Sequence, residues 1–547
     1  MTPYSTDPDW WKSATGYQIY PRSFMDSNGD GIGDIPGIIS RLDYLAALGI
    51  GFIWLSPVYA SPMADNGYDI SDYRDIAPEF GTLADMDRLI AEARARGIGI
   101  VMDLVVNHSS DEHAWFQSAL QGRDAPYRDF YVWRDPAPGG GPPNGQQSYF
   151  GGPAWEFHPP TGQYYLHQFD VKQPDLNWAN PALRQAVYDM MNWWFDRGIA
   201  GFRMDVIDLI GKDPDLGIYA DGPKLHEYIR EMHQATLKGR NVVTVGEAWS
   251  ATPQSALLYS GRDSGELSMV FQFAHVTQAH DPVLGKWAPK PFDLVALKRV
   301  FDLWQDAVGQ DGWNSLFWGN HDLPRAVSKY GDGSVASARM LAIVLHLMKG
   351  TPYIYQGEEI GMTNAAFTRI DEFRDVETLN FYKLQTEAGI DPAAFIAGAN
   401  ENGRDNARTP MQWSGGPQAG FTTGTPWIAV NPNHATINAE AAQAEPDGVF
   451  ATYRTLAELR KTHPIIVHGS YHAAHRDHPA IVAYARVLGK DRLVVMANFT
   501  GAPVTLDPAF DLVLTGQSLI ATHAPRRALG GSVTLAPYEA FAILGWA

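Results

Sequence analysis

Eight short apolar segments recur along the chain, and each of them has polar or acidic residues at or near its end. They are rich in β-branched and aromatic side chains, and they follow in chain order as GYQIYPRSF (16–24), GFIWLSPVY (51–59), GIGIVMDLVVNH (97–108), GIAGFRMDVI (198–207), NVVTVGEAW (241–249), MVFQF (269–273), SLFWGNHD (315–322) and TPYIYQGEE (351–359). Continuous apolar runs are typical of strands that are buried on both faces of a parallel sheet. The pattern therefore predicts eight buried strands.

Amphipathic helical patterns lie between several of these strands. One helix is predicted to begin after Thr82 and to end at Gly97. Its apolar residues recur at spacings of three and four: Leu83, Met86, Leu89, Ile90 and Ala93. Another helix is predicted from Ile38 to Leu48, with Gly49 following. Buried strands that alternate with helices predict an α/β fold of the (β/α)8 TIM-barrel type, in which functional residues lie at the carboxyl ends of the strands.

Two segments depart from this alternation. Residues 109–172 follow the third strand and are rich in glycine, proline and aromatic residues, which predicts an inserted small domain rather than a loop. After residue 468 the pattern changes to short alternating strands, typical of an antiparallel β-domain. The sequence thus predicts a barrel formed by residues 1–108 and 173–467, an inserted domain at 109–172 and a C-terminal β-sandwich at 468–547.

Composition narrows the classes of partner. The net charge of −19 over 547 residues repels phosphate backbones and anionic membranes, so we expect a small neutral substrate and neither nucleic acid nor membrane as a partner. The absence of cysteine excludes disulfides, thiolate metal ligands and cysteine nucleophiles. The first residues, MTPYSTDPDWWKS, show neither a basic leader nor an apolar segment, so we expect a cytoplasmic protein. The oligomeric state is not determined by the sequence, and a monomer is the expectation.

Three carboxylates fall at the ends of predicted strands. Asp205 ends the fourth strand, with Arg203 two residues earlier and so on the same side of it. Glu247 ends the fifth strand, and Asp322 follows the seventh. Each residue alone also fits a structural role: Arg203 and Asp205 as a buried ion pair, and Glu247 as a solvated residue at the rim. Their common position at one end of one barrel favours an active site.

Five ordered motifs resemble the signature regions of the α-amylase family, glycoside hydrolase family 13. They are DLVVNH (103–108), QPDLNW (173–178), GFRMDVID (201–208), VGEAW (245–249) and GNHD (319–322). Three further stretches resemble the oligo-1,6-glucosidase and sucrose isomerase branch: DNGYDISDY (65–73), RDNARTPMQW (404–413) and FTTGTPW (421–427). The likeness covers nearly the whole chain and implies a glycosidase without an organic cofactor.

The resemblance implies a retaining mechanism with three carboxylates in separate roles. Asp205 would be the nucleophile that forms a glucosyl ester, with Arg203 keeping it ionised and oriented. Glu247 would protonate the leaving oxygen and then deprotonate the incoming water, with the two carboxyl groups roughly 5 Å apart. Asp322 would bind the 2- and 3-hydroxyls of the sugar, where hydrogen bonds strengthen in the transition state.

The resemblance also implies contacts to the glucose that is cleaved off, in the −1 subsite. His108 and His321 would donate hydrogen bonds to its hydroxyls, and Tyr68 would stack against its face. Gln173, which opens the QPDLNW motif, belongs to the same substrate-binding set. Taken singly, the two histidines also fit a role as hydrogen-bonded core residues.

The far end of that glucose would be held by Asp65 and by an arginine of the RDNAR stretch. Arg404 is favoured over Arg408, although the motif match allows either. Together they would close the pocket, so that only a terminal glucose fits. Phe150 and Phe169 would line the entrance, and packing within the inserted domain explains these two aromatic residues equally well.

Val206 bears on which bond is cleaved. In the branch that this chain resembles, valine after the nucleophile accompanies α-1,6 bonds, whereas threonine or alanine accompanies α-1,4 bonds. Ordinary strand propensity is the alternative explanation for this valine. The prediction is an exo-acting α-glucosidase that prefers isomaltose, isomaltulose and short isomalto-oligosaccharides.

The alternatives are of two kinds: another reaction of a glucosyl group, and binding without catalysis. A sucrose isomerase would carry an arginine-rich stretch where this chain has TQAHD (277–281), and the hydrolases have FEHM where it has FAHV, so Ala274 departs from their pattern. Hydrolysis of sucrose or trehalulose, or transglucosylation, is therefore an alternative. A binding role without catalysis, as in inactive transporter subunits resembling this family, would require a membrane helix before the barrel and lost carboxylates.

The stretch DSNGDGIGD (26–34) resembles the start of an EF-hand loop. It places oxygen ligands in the EF-hand spacing: Asp26, Asn28, Asp30, the Ile32 carbonyl and Asp34. Gly37 occupies the position where an EF-hand has its bidentate glutamate, and a strand precedes the loop, so a calcium sensor is excluded. The resembling glucosidases bind a structural cation here, which predicts Ca²⁺, with Mg²⁺ as the alternative. An acidic turn capped by its own side chains is the competing explanation.

Overall fold

The computed structural model of the chain describes residues 5–278, 280–281, 283–506 and 514–546. Eight parallel strands form one sheet: β1 Gly16–Ile19, β2 Phe52–Leu55, β3 Gly99–Leu104, β4 Gly201–Met204, β5 Val243–Glu247, β6 Met269–Phe271, β7 Ser315–Leu316 and β8 Thr351–Tyr355. Their order in the sheet is β6-β5-β4-β3-β2-β1-β8-β7. A parallel bridge between Val270 and Asn314 joins the two outer strands. The sheet is thus a closed barrel, and the eight predicted strands are confirmed.

Helices cover the barrel between the strands. The α-helices of seven or more residues are Leu42–Leu48, Leu83–Ala95, Pro181–Arg197, Leu225–Met232, Pro253–Ser260, Leu294–Val308, Val335–His346, Val376–Glu387, Pro392–Asn402 and Val449–Thr462. The helix predicted after Thr82 is confirmed, and Thr82 caps it through the backbone N–H of Asp85. The other predicted helix is wrong in its continuity, because Arg41, with φ −110° and ψ 6°, separates Ile35–Ser40 from Leu42–Leu48.

The segment after β3 carries secondary structure of its own. A short helix, Ala114–Ala119, is followed by a three-stranded antiparallel sheet of Trp133–Arg134, Gln163–Leu166 and Trp155–His158. Aromatic rings fill the space between them, with Phe116 centred 4.8 Å from Tyr131 and 5.1 Å from Tyr165. Bridges from His108 to Asp175 and from Tyr131 to Leu176 join this segment to the chain that leads back into the barrel. The domain limits at 108 and 173 remain a prediction.

The C-terminal region is an antiparallel β-structure. Its main sheet has the order Ser470–Ala474, Ile481–Leu488, Asp491–Asn498, Ala540–Trp546, Leu514–Ala521 and Ala528–Leu529, and Val504–Leu506 pairs separately with Val533–Leu535. The fold class predicted from the sequence is therefore confirmed. Among the residues that the structure describes, no helix is long and apolar enough to cross a membrane.

Candidate active site

One buried arginine collects three carboxylates at the carboxyl end of the barrel. Nη1 of Arg203 lies 2.8 Å from Oδ1 of Asp103 and 2.7 Å from Oδ1 of Asp205, and Nη2 pairs with Oε2 of Glu247. The arginine is only 1% exposed, so water does not screen these pairs. Asp103 belongs to β3, Asp205 follows β4 and Glu247 ends β5. Three neighbouring parallel strands therefore present their acidic residues to a single guanidinium.

The charges in this cluster do not balance. Burial raises the pKa of Asp205 well above its usual value, the carboxylates of Glu247 and Asp103 add to the increase, and Arg203 opposes it. Burial also raises the pKa of Asp103 to about 6, against the opposing effects of Arg203, Trp54 and Tyr68. One cation thus faces three acidic groups at low dielectric, and the cluster retains protons at pH values where exposed carboxyl groups have lost them. An acid and a base can therefore coexist in it.

Val206 holds an unusual backbone conformation beside Asp205. Its φ of 32° and ψ of 48° lie in the left-handed region, which costs a residue other than glycine about 1–3 kcal/mol. This conformation directs the backbone N–H of Val206 at Oε2 of Glu247, 3.1 Å away. The explanation of Val206 by strand propensity is wrong, since the residue lies beyond the end of β4. The strained turn instead ties the segment after β4 to the carboxylate of β5.

Asp322 lies in the turn after β7, between two arginines. Its Oδ1 accepts hydrogen bonds from Nη1 of Arg404 at 3.2 Å and from Nη2 of Arg408 at 2.8 Å. Burial opposes ionisation of Asp322, but His321 and the two arginines hold its pKa well below the usual range. Because burial lowers the pKa of His321 to about 3, His321 is neutral near pH 7 and the arginines supply the positive charge. Asp322 is thus an ionised acceptor.

The two arginines of the RDNAR stretch differ in what they contact. Arg404 also approaches Asp65, with Nη2 3.5 Å from Oδ1, and its guanidinium lies 4.8 Å from the ring centre of Phe150. Arg408 donates from Nε to the carbonyl of His321 at 3.1 Å. Arg404 therefore links the carboxylates of Asp65 and Asp322, whereas Arg408 supports the turn that carries Asp322.

Asp65, Gln173 and His108 form a second polar group on the same rim. Nε2 of Gln173 donates to Oδ2 of Asp65 at 3.1 Å and to the carbonyl of Tyr68 at 3.2 Å. Nε2 of His108 lies 3.0 Å from the same carbonyl. Burial raises the pKa of Asp65 to about 7, with Arg404 and Arg408 opposing the shift. Asp65 is therefore an acceptor whose charge depends on its neighbours near neutral pH.

Aromatic rings fix the orientation of these polar groups. The rings of Tyr68 and His321 are stacked, 5.2 Å apart and 4° from parallel, and the hydroxyl of Tyr68 donates to Oδ2 of Asp103 at 3.0 Å. Nδ1 of His321 lies 2.8 Å from Nε2 of Gln18. Phe169 lies 5.2 Å from His108, between centroids. Phe169 is also 5.4 Å from Phe150, so the inserted segment covers this side of the rim.

The structure brings together every residue that the sequence predicted for catalysis and sugar binding, and it adds residues that sequence reasoning missed. Asp103 lies inside the DLVVNH motif at the end of a predicted strand, so its position was a usable signal. Asp375 accepts a hydrogen bond from Nε of Arg404 at 2.9 Å and caps the helix Val376–Glu387. No local pattern marks Asp375, because its partner is 29 residues away in the chain.

The predicted metal loop folds around its own acidic side chains. Oδ1 of Asp26 accepts the N–H groups of Asn28 at 2.9 Å and Gly29 at 2.7 Å, and Oδ1 of Asp30 accepts that of Ile32 at 2.8 Å. Asp34 caps the helix Ile35–Ser40 by accepting the N–H of Gly37 at 2.6 Å. Within the described part of the chain, no three acidic or histidine side chains come close enough to hold a metal ion as a group.

Comparison with known proteins places this geometry in a family. The family model for the α-amylase catalytic domain matches residues 18–469. A palatinase of Erwinia rhapontici is 54% identical over 541 residues, 98% of each chain, and an oligo-1,6-glucosidase of Halalkalibacterium halodurans is 50% identical, over 98% of this chain and 99% of the relative. The crystal structure of the isomaltulose synthase from Erwinia rhapontici superposes with a TM-score of 0.95 at 40% identity, covering 99% of this chain and all of the other.

Proposed function

Because the chain belongs to the α-amylase family and is a glycoside hydrolase, we propose that it is a retaining, exo-acting α-glucosidase preferring α-1,6-linked glucosides. The observation that carries the proposal is the bridge from Asp205 through Arg203 to Glu247. One guanidinium that pairs with both carboxylates holds them close together, as the separation of about 5 Å in retaining glycosidases requires. An inverting pair, which holds a water between the carboxyl groups, would be farther apart, at about 6.5–9.5 Å.

The proposed reaction has two steps at this pair. In the first, Oδ of Asp205 attacks the anomeric carbon while Glu247 gives its proton to the glycosidic oxygen, so that the aglycone leaves as an alcohol and a glucosyl ester forms. In the second, Glu247 takes a proton from water, which attacks the same carbon and releases Asp205. The pairing of Arg203 with Asp205 favours the ionised nucleophile against the effect of burial.

The shape of the polar rim supports exo action on a neutral sugar. Arg404 connects Asp65 with Asp322 and lies against Phe150 of the inserted segment, so the far side of the −1 subsite is closed by charged groups. Carboxylates and arginines that pair with one another carry little net charge, but they still offer hydrogen-bond donors and acceptors to the hydroxyls of an uncharged glucose. A chain extending beyond that glucose would have to break the pairing between Arg404 and Asp65.

The preference for the α-1,6 bond is supported by Val206 and by the relatives. The valine side chain stands directly after Asp205 in a turn whose strained backbone fixes its position. The palatinase and the oligo-1,6-glucosidase are similar to this chain over almost its full length. We therefore expect isomaltulose and isomaltose to be the preferred substrates among the disaccharides.

Sucrose isomerisation is the second candidate, favoured by the superposition on the isomaltulose synthase. An isomerase must hold fructose beside the glucosyl ester and exclude water from it. The stretch TQAHD (277–281) has no arginine for this purpose. Release of both sugars as hydrolysis products is therefore the expected outcome with sucrose as well.

The experiment that tests the proposal compares specificity constants. The value of kcat/KM for isomaltose and isomaltulose should exceed that for maltose at least about tenfold, since a change in one contact beside the nucleophile is worth about 1–3 kcal/mol. Glu247→Gln and Asp205→Asn should each lower kcat by at least about 10⁴-fold. Higher turnover of maltose would refute the α-1,6 preference. Chromatographic detection of isomaltulose or trehalulose formed from sucrose would establish the isomerase instead.

The loop at 26–34 supports a structural cation as part of the same proposal. Its side chains offer hard oxygen ligands, which suit Ca²⁺. They also suit Mg²⁺, which takes fewer ligands. Asp26, Asn28, Asp30 and the Ile32 carbonyl would hold the ion, which would then brace the connection from β1 to the helix Ile35–Ser40. The carboxylate oxygens of Asp34 already accept hydrogen bonds from Ser27 and from the N–H of Gly37 at the start of that helix. Asp34 would bind the metal only if its oxygens kept these hydrogen bonds and contacted the ion as well.

A further inference from the structure

Trp249, two residues after Glu247, contacts this carboxylate through its ring nitrogen. The indole N–H donates to Oε1 of Glu247 over 2.8 Å. The indole itself is held by Phe273, whose ring is stacked on it with centroids 3.8 Å apart and planes 8° from parallel. Because Trp249 is still 44% exposed, packing does not require its ring nitrogen to face the carboxylate. The hydrogen bond therefore calls for a functional explanation.

The two oxygens of Glu247 have different surroundings. Oε2 accepts from the guanidinium of Arg203 and from the N–H of Val206. A proton on Oε2 would face two donors, one of them charged, so protonation at this oxygen is disfavoured. Oε1 receives one neutral N–H, from Trp249, and keeps a free lone pair for the proton. The acid proton of Glu247 therefore belongs on Oε1.

Trp249 also lies on the side of the site that carries Asp322. The two residues line a small cavity together. The N–H on Oε1 adds to the two donors on Oε2, and together they restrain rotation of the carboxyl group about its terminal bond. The indole N–H thereby helps to hold Oε1 in one orientation.

We propose that Trp249 is a positioning residue, whose indole N–H fixes Oε1 of Glu247 as the oxygen that protonates the leaving group. The role rests on the α-glucosidase function proposed above. Phe273 serves by stacking the indole in place. In the first step the O–H bond at Oε1 breaks, the proton joins the glycosidic oxygen, and the N–H of Trp249 then stabilises the carboxylate left at Oε1. Trp249 itself exchanges no proton.

The test uses aryl α-glucosides whose leaving groups differ in their need for a proton. Phenyl and 4-nitrophenyl α-D-glucopyranosides have aglycones of similar size, but 4-nitrophenolate leaves readily without protonation, whereas phenol, with a pKa near 10, does not. Trp249→Phe retains a ring to stack on Phe273 and removes the N–H. It should lower kcat/KM for the phenyl glucoside by about 10–100-fold, within the range that general acid catalysis supplies. The loss on the 4-nitrophenyl glucoside should stay within about threefold.

Several outcomes would overturn the role. Equal losses of kcat/KM on the two glucosides would mean that Trp249 only contacts the aglycone. An unchanged kcat/KM for the phenyl glucoside would exclude any role of Trp249 in protonation. Trp193→Phe, on the remote helix Pro181–Arg197, is the matched control and should leave both values unchanged. Failure of the proposed function would show itself separately, as absence of glucose release from either glucoside by the wild-type protein.

Discussion

At the scale of single residues, the site depends on an excess of acidic groups around Arg203. Three buried carboxylates share one guanidinium, and burial raises the pKa values of Asp103 and Asp205 against the opposing effect of Arg203. In the proposed mechanism Asp205 must be ionised to attack, so its raised pKa is expected to set the acidic limit of activity. Asp103 contributes to that limit without a place in the reaction, because its charge opposes ionisation of Asp205.

Replacing Asp103 tests this electrostatic balance. Asp103→Asn removes a negative charge that raises the pKa of Asp205, so the pKa of Asp205 should fall. Activity requires ionised Asp205, and therefore the acidic limb of the profile of kcat/KM against pH should move to lower pH. The maximal kcat/KM should also decrease, since Tyr68 and Trp54 lose a charged partner. A limb that stays in place or moves to higher pH would contradict the argument; circular dichroism checks that the variant is folded.

At the scale of elements, short segments between strands and helices position the site more than the strands do. The turn at Val206 joins β4 to the carboxylate of β5, and the cap of the helix Val376–Glu387 is the residue that holds Arg404. The loop 26–34 joins β1 to the helix Ile35–Ser40 in the same manner. Each of these segments has two functions, one in ending an element and one in fixing a side chain.

In the loop 26–34, the capping of the helix and the proposed metal binding can be tested separately. Asp34→Ala should lower the free energy of unfolding by about 1 kcal/mol, the usual cost of losing an N-cap. Asp30→Ala should abolish the stabilisation by Ca²⁺, in addition to losing the hydrogen bond that Asp30 accepts from Ile32. Calorimetry with added Ca²⁺ and with EDTA distinguishes the two. We expect EDTA to lower the Tm of the wild-type protein and of Asp34→Ala, and to leave Asp30→Ala unchanged. A wild-type Tm that is insensitive to EDTA would argue against the cation.

At the scale of the whole molecule, the C-terminal sheet is tied to the barrel through buried polar contacts. Lys298, on the helix Leu294–Val308, donates from Nζ to three carbonyls, those of His475 at 2.7 Å, His478 at 2.6 Å and Ile481 at 2.9 Å. None of the predicted catalytic residues belongs to this contact. The C-terminal region is thus expected to support the stability of the barrel and not its chemistry.

Lys298→Met tests that division. Methionine keeps an apolar side chain of similar length but leaves three carbonyls without their donor. This should lower the free energy of unfolding by about 1–3 kcal/mol. The ratio of kcat/KM values for isomaltose and maltose should not change. Lys290→Met, at an exposed position on the preceding segment, is the control and should affect neither stability nor the ratio. A changed ratio in Lys298→Met would show that the C-terminal region influences specificity.

The sequence by itself determined the barrel, because eight continuous apolar runs have few ways to be buried other than in a parallel sheet covered by helices. It also located Asp205, Glu247 and Asp322 at strand ends, where a barrel gathers its functional residues. Arg203 was also expected beside Asp205, whereas the remaining contacts that hold these three carboxylates came from tertiary structure alone. The sequence showed Trp249 in its motif, but it did not show the hydrogen bond from Trp249 to Glu247. No sequence pattern indicated the contact of Asp375 with Arg404 or the left-handed turn at Val206. Periodicity reports which face of an element is buried, whereas a hydrogen-bond partner or a strained dihedral depends on segments that only the closed barrel brings together.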